Sequence, residues 1–174
     1  CSYLKKHFNK DFVSLMPCNL YGINDNFDPG SSHVIPGMIN KFHQAKENNK
    51  DVVLWGSGNP LREFLFVDDL AKIIIEVIKS EIMKESLYNV GSGIEISIAE
   101  LASLISKIVD FKGKVIWDKS KPDGTPRKIM DSSKLTSHLG GFKTTNLKEG
   151  LTKTYKWFKL NNSSIKKNMD KYYE

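Results

Sequence analysis

What most constrains this chain is an alternation between short apolar runs of strand length and longer stretches with helical period. Phe12-Val-Ser-Leu-Met16 is one such run and stops at Pro17, and Asp51-Val-Val-Leu-Trp55 is another, stopping at the turn Gly56-Ser-Gly-Asn-Pro60. Arg62-Glu-Phe-Leu-Phe-Val67, Tyr88-Asn-Val90 and Lys114-Val-Ile-Trp117 read the same way. Between them, Pro36 suits the first turn of a helix that carries Ile39, Phe42 and Ala45 on one face. Asp68 is placed to cap a helix with the stripe Leu70, Ile73, Ile74, Val77 and Ile78. Ser97-Ile-Ala-Glu100 is a capping box ahead of Leu101, Leu104, Ile105 and Ile108. A last helix is expected over Leu147 to Leu160 with Leu151, Tyr155 and Phe158 inward, followed by an Asn-, Ser- and Lys-rich flexible tail over 161–174. Strands alternating with helices define an α/β fold.

Charge narrows the partners. The formal net charge is +6, and all but Arg62 and Arg127 of its 26 cationic side chains are lysine. Such a balance serves a phosphate-bearing ligand, nucleic acid or plain solubility. The lysines are scattered rather than gathered with aromatics, so nucleic acid is not expected. No apolar run approaches the roughly 20 residues of a membrane span, and Cys1 to Lys10 is polar and basic, unlike a secretory leader. The two cysteines, Cys1 and Cys18, form no CxxC or Cys/His cluster, so neither zinc nor a disulfide framework is expected and a reducing cytoplasm fits. Ser2 to His7 reads as a helix already under way with no cap before it, as in a piece of a longer protein.

Two Gly-x-Gly pieces, Gly56–Gly58 and Gly91–Gly93, invite a dinucleotide reading. Neither has its third glycine in register, because Leu61 and Glu95-Ile96 stand there, so both read as turns.

Longer motifs carry a resemblance. Pro17-Cys-Asn-Leu-Tyr-Gly22, Asp25-Asn-Phe27, Ser32-His-Val-Ile-Pro36, Trp55-Gly-Ser-Gly58, Arg62-Glu-Phe-Leu65, Val67-Asp-Asp69, Asn89-Val-Gly91 and Lys121-Pro-Asp-Gly-Thr-Pro-Arg127 follow one another in this order. Over residues 1 to about 160 the chain resembles the GDP-L-fucose synthases, a branch of the extended short-chain dehydrogenase/reductases. The Trp-Gly-x-Gly, Arg-x-Phe and Val-x-Asp pieces are shared across that superfamily. Ser-His-Val-Ile-Pro and Lys-Pro-Asp-Gly-Thr-Pro-Arg are narrower and point to the fucose synthase branch.

The resemblance implies the C-terminal part of an NAD(P)-binding Rossmann fold with a small α/β substrate domain. Residues 1–30 then end the Rossmann domain, and 31–160 mainly bind a GDP-sugar. It implies NADPH as cofactor, a GDP-linked 4-keto-6-deoxy sugar as substrate and a homodimer. His33, on its own, is a loop histidine open to a structural role; by resemblance it is the acid/base group of epimerisation and also faces the cofactor. The residue type suits this task, since a ketone at C4 acidifies the hydrogens at C3 and C5, and an imidazole has an ordinary pKa of about 6.5. Pro17, Cys18, Asn19 and Leu20 are implied to line the nicotinamide side. Arg62, which on its own reads equally as a partner of Glu63 or a nearby Asp, is implied to hold the pyrophosphate through its planar fork. Lys41 stands where the family usually has Arg, keeping the charge without the fork. Trp55, ordinarily read as core, and Asp123, ordinarily read as turn chemistry, are implied to meet the substrate.

The family's reducing step uses a Tyr and a Lys four positions apart, and its second epimerisation group is a cysteine. Neither is read here: Tyr3 is followed by His7, and Cys18 falls where related chains carry Thr. The chain by itself is therefore expected to be inactive. Another nucleotide-sugar epimerase, dehydratase or reductase of the superfamily, or a non-catalytic nucleotide-sugar or NADP-binding regulator, remain as alternatives.

Overall fold

The computed structural model describes residues 1–10, 12–80 and 85–170. Elements follow in the order α1 (Ser2–Phe8), β1 (Ser14–Pro17), β2 (Asn19–Tyr21), α2 (Val34–Glu47), β3 (Val52–Trp55), β4 (Leu61–Phe66) and α3 (Val67–Lys79). Then come β5 (Leu87–Val90), β6 (Glu95–Ser97), α4 (Ile98–Val109), β7 (Val115–Asp118), β8 (Arg127–Lys128), α5 (Ser133–Leu139) and α6 (Leu147–Asp170). The α/β alternation expected from the sequence is what forms.

The strands pair in three small sheets. β1 runs parallel to β5 with Leu15 opposite Tyr88, and β3 runs parallel to β7 with Leu54 opposite Trp117. β4 is the hub of the third: it is parallel to β2 and β8 and antiparallel to β6. Parallel pairs need crossovers of a dozen residues or more, and the helices supply them.

β4 also separates two apolar cores. Successive side chains on a strand point to opposite faces. Phe64 and Phe66 join the larger core, with Tyr21, Phe27, Phe42, Leu101, Ile105, Leu151 and Phe158. Leu65 joins the smaller one, with Cys18, Ile73, Val77, Tyr88, Val90 and Leu135. Glu63 shares the Leu65 face and is fully buried. Its Oε1 accepts the Gly93 N–H at 2.7 Å and its Oε2 the Met130 N–H at 2.9 Å, while its backbone oxygen accepts from Asn19 Nδ2 at 2.8 Å. One buried carboxyl group thus ties β4 to the β5–β6 turn and to the segment after β8. Gly91 packs so closely on it that no Cβ fits there.

Several expectations shift in detail. The capping box at Ser97 and Glu100 forms with both of its bonds. Asp68 does not cap α3; the cap position is Phe66, without a side-chain bond, because the helix starts directly off β4. Of the α3 stripe, Ile73 and Val77 are buried, but Ile74 and Ile78 stay exposed, since β4 and β5 cover only one side of the helix. α6 runs to Asp170, ten residues past the expected end at Leu160; the last four residues of the expected tail lie outside the described ones. β2, β6, β8 and α5 were not expected; the stretch after Pro17 reads as a polar loop, yet Asn19–Tyr21 pairs with β4. Each is short, and β6 and β8 exist only through pairing with β4.

Candidate functional site

The length of α2 from Val34 to Ala45, the starts of β2 and β4 and the end of β3 line a cleft of about 1120 Å³. Cys18, Asn19, Leu20, His33, Lys41, Trp55, Arg62 and Asp123 all line it, while Pro17 does not. Pro17 is the exposed last residue of β1, and the chain turns into the cleft only after it. Apart from Pro17, the residues singled out from sequence converge on one place.

Each owes its position to local geometry. In α2, Val34, Gly37, Met38 and Lys41 face the cleft at spacings of three and four, the rows that share one helix face. On β3, Val52 and Leu54 point inward, so alternation puts Trp55 outward and 66% exposed, against its ordinary reading as core. Lys41 Nζ donates to the Val53 carbonyl at 3.2 Å and lies 5.8 Å from the Trp55 ring centre. Lys121 lies at the same 5.8 Å from that ring. An indole face between ammonium groups attracts them through its quadrupole.

Arg62 does not pair with Glu63. Neighbours on a strand face opposite ways, and Glu63 is committed to Gly93 and Met130 in the smaller core. Arg62 instead donates from one arm to its neighbour's carbonyl at Leu61, 2.8 Å away, and lines the cleft. Asp123 is spoken for at both oxygens: Oδ1 accepts the Ser57 N–H at 2.5 Å and Oδ2 the Ser57 hydroxyl at 2.7 Å. Those two bonds, the backbone one first, hold its carboxyl below the usual range. Each oxygen keeps a second lone-pair direction for a ligand hydroxyl.

His33 occupies the cap position of α2, exposed and with no side-chain cap bond, so its imidazole is not consumed by the helix. Asp25 was missed from the sequence. Burial pushes its carboxyl up, against the Asn26 N–H and the charge of His33, which pull it down. That places a half-buried carboxyl within electrostatic reach of the imidazole, and the motif Asp25-Asn-Phe27 was the available signal.

Cys18 is unsuited to proton transfer. Burial first, and Glu63 second, push its thiol up to about 12. Iodoacetamide at pH 8 should therefore alkylate exposed Cys1 and leave Cys18 intact in the folded protein, giving a single adduct by intact mass. Rapid double labelling without denaturant would contradict this placement.

A Tyr-x-x-x-Lys spacing does occur in the chain, at Tyr155–Lys159, and corrects the reading that none is present. It is not in the cleft. Tyr155 is buried, shares a 3.2 Å hydrogen bond with His43 Nδ1, and has its hydroxyl pushed up by burial, Glu47 and Asp110. A reductase tyrosine needs the opposite shift.

The cleft thus gathers cationic, aromatic and carboxylate side chains from β3, β4, α2 and the loop after β7. The chain belongs to the NAD dependent epimerase/dehydratase family, whose family model matches residues 1–91. Among individual proteins it is similar to GDP-L-fucose synthase 1 of Arabidopsis thaliana, with 49% identity over 162 residues, covering 92% of this chain and 50% of that protein. It is similar also to the GDP-L-fucose synthase of Escherichia coli, with 47% identity over 167 residues, covering 91% and 52%. Among solved structures, the GDP-L-fucose synthetase of Naegleria fowleri bound to NADP superposes with a TM-score of 0.82 at 30% identity, covering 93% of this chain and 52% of that one. The chain spans about half the length of the curated relatives it matches.

Proposed function

We propose that this chain forms the nucleotide-sugar-binding part of an NADP-dependent GDP-L-fucose synthase, which converts GDP-4-keto-6-deoxy-D-mannose to GDP-L-fucose. The observation that carries this reading is the convergence of His33, Lys41, Trp55, Arg62 and Asp123 on one cleft bordered by Cys18, Asn19 and Leu20. The likeness to named synthases from a plant and a bacterium supports it.

The residues divide the work by chemistry. Arg62 and Lys41 offer cations to the diphosphate, Arg62 through a planar fork that matches two phosphate oxygens. Trp55 gives the sugar or base an exposed flat face, and Asp123 can accept a ligand hydroxyl at the rim. His33 handles the proton on one face: transfer at C3 or C5 passes through an enolate stabilised by the C4 carbonyl. The exchange on the opposite face that inverts the carbon needs a second acid/base group, which the family takes from a cysteine other than Cys18. Cys18, which follows the carboxyl end of β1, and Asn19 and Leu20, which open β2, would border the nicotinamide of a dinucleotide. When bound, that cofactor supplies the hydride that reduces C4.

Titration calorimetry with GDP tests the binding half directly. Arg62→Ala should weaken GDP binding by about 10- to 100-fold, the worth of a charge-assisted contact, and Arg62→Lys should recover only part of it. No GDP binding by the unsubstituted protein, or equal affinity in Arg62→Ala, overturns the reading. For the chemistry, the product formed from GDP-4-keto-6-deoxy-mannose and NADPH by the chain joined to an amino-terminal half like that of its relatives is identified by NMR. A product other than GDP-L-fucose places the protein elsewhere in the family.

A further inference from the structure

The loop between β7 and β8 reaches the cleft with Pro122 and Asp123 and forms a strap beside it. It is tied at both ends to a single turn. At one end, the Gly56 N–H donates to the Asp118 carbonyl at 2.9 Å. At the other, the Ser57 N–H and hydroxyl donate to the two Asp123 oxygens. Between these ties the strap is braced within itself: Ser120 donates from N–H and hydroxyl to Asp118 Oδ1 at 3.0 and 2.6 Å, and the Lys121 N–H returns to the Asp118 carbonyl at 3.2 Å. Gly56 has a φ of +79° and presses against Asp123 where a Cβ would stand, so this turn and this carboxylate fit as a pair.

What the strap carries is Lys121. Lys121 does not itself line the cleft, but its ammonium stands 5.8 Å from the centre of the Trp55 ring, as does that of Lys41, and Trp55, Lys41 and Arg62 all line it. Gly124, just past Asp123, lies over Arg62, its Cβ direction 3.8 Å from an outer guanidinium nitrogen. Ser57 itself does not line the cleft.

We propose that Ser57 is a positioning residue, acting through Asp123 to hold the 118–123 strap so that Lys121 becomes a third cation for the diphosphate of the nucleotide ligand. This rests on the functional reading above and adds to it a residue outside the cleft and a cation on the strap. Asp123 then serves the ligand chiefly by fixing the strap. A hydroxyl and an amide from one serine, both used on one carboxylate, set its direction as a single bond would not. A lysine on a flexible stem gains most from such fixing, because an unheld ammonium is a mobile point charge.

The test is a set of GDP and GMP titrations on the unsubstituted protein, Ser57→Ala, Lys121→Ala, Asp123→Ala and the Ser57→Ala/Lys121→Ala double variant. Lys121→Ala should weaken GDP by about three- to tenfold and GMP much less, since a partly exposed charge contact is worth that much and GMP lacks the second phosphate. Ser57→Ala should lower the GDP-over-GMP preference in the same direction, and the double variant should bind no more weakly than Lys121→Ala alone. A purely structural defect would weaken both nucleotides alike. If Ser57→Ala keeps full GDP affinity while Asp123→Ala loses it, Asp123 touches the ligand directly and the strap role is wrong. Full GDP affinity in Lys121→Ala overturns it too, and that exposed position tests the idea even if Ser57→Ala unfolds. Absence of GDP binding by the unsubstituted protein sinks the functional reading itself and the strap with it, a result distinct from either of the others.

Discussion

His33→Gln, in the chain joined to an amino-terminal half like that of its relatives, should slow epimerisation at C3 and C5 by about 100- to 10,000-fold, the usual share of one acid/base group. Glutamine keeps much of the size and hydrogen bonding of the imidazole and loses its ability to carry a proton near neutral pH. His33 makes no side-chain cap bond, so the change leaves α2 its existing start and should cost little stability. GDP affinity should stay within a few-fold, because Arg62, Lys41 and Trp55 remain. The measurement is deuterium wash-in at C3 and C5 of the keto sugar in heavy water, followed by NMR. Wash-in at the unsubstituted rate would remove His33 from the chemistry, and equal loss of GDP binding would make it a binding residue instead.

The second large effect is on stability. Glu63→Ala should lower the unfolding free energy by about 2 to 4 kcal/mol, since the N–H groups of Gly93 and Met130 lose their acceptor and a cavity opens where the fully buried side chain stood. That is a large part of the roughly 5 to 15 kcal/mol by which ordinary domains are stable. Glu63→Gln should fall between, because its amide offers one acceptor oxygen for two donors. Urea unfolding of the three proteins gives the numbers. A shift under about 1 kcal/mol for Glu63→Ala would mean that neither N–H depends on this acceptor.

The residues of the cleft were legible through the resemblance of their contiguous motifs to a family, while local rules gave only the elements that carry them. Ser32-His-Val-Ile-Pro36 reads as a loop feeding a helix start, and His33 stands at that start. Leu61 to Phe66 reads as a strand, and Arg62 sits at its cleft end. Trp55 shows where such reading needs help. Apolarity marks it as core, and only the register of β3, which buries Val52 and Leu54, turns it outward. The Arg62–Glu63 pairing failed for the same reason, since adjacency along a strand is separation across it.

From the order of its residues alone, this protein had its alternation of strands and helices, its capping box and its Gly-containing turns, while most members of its cleft came from the resemblance of its motifs. The first three depend on periodicity and backbone preference within a few positions. Tertiary structure alone decided that Asp123 binds Ser57 across 66 positions, that Tyr155 and His43 bury themselves together, and that Glu63 bridges three segments. Such pairings depend on which faces meet after folding, and a polar side chain carries no mark of which distant amide or hydroxyl the fold will bring beside it.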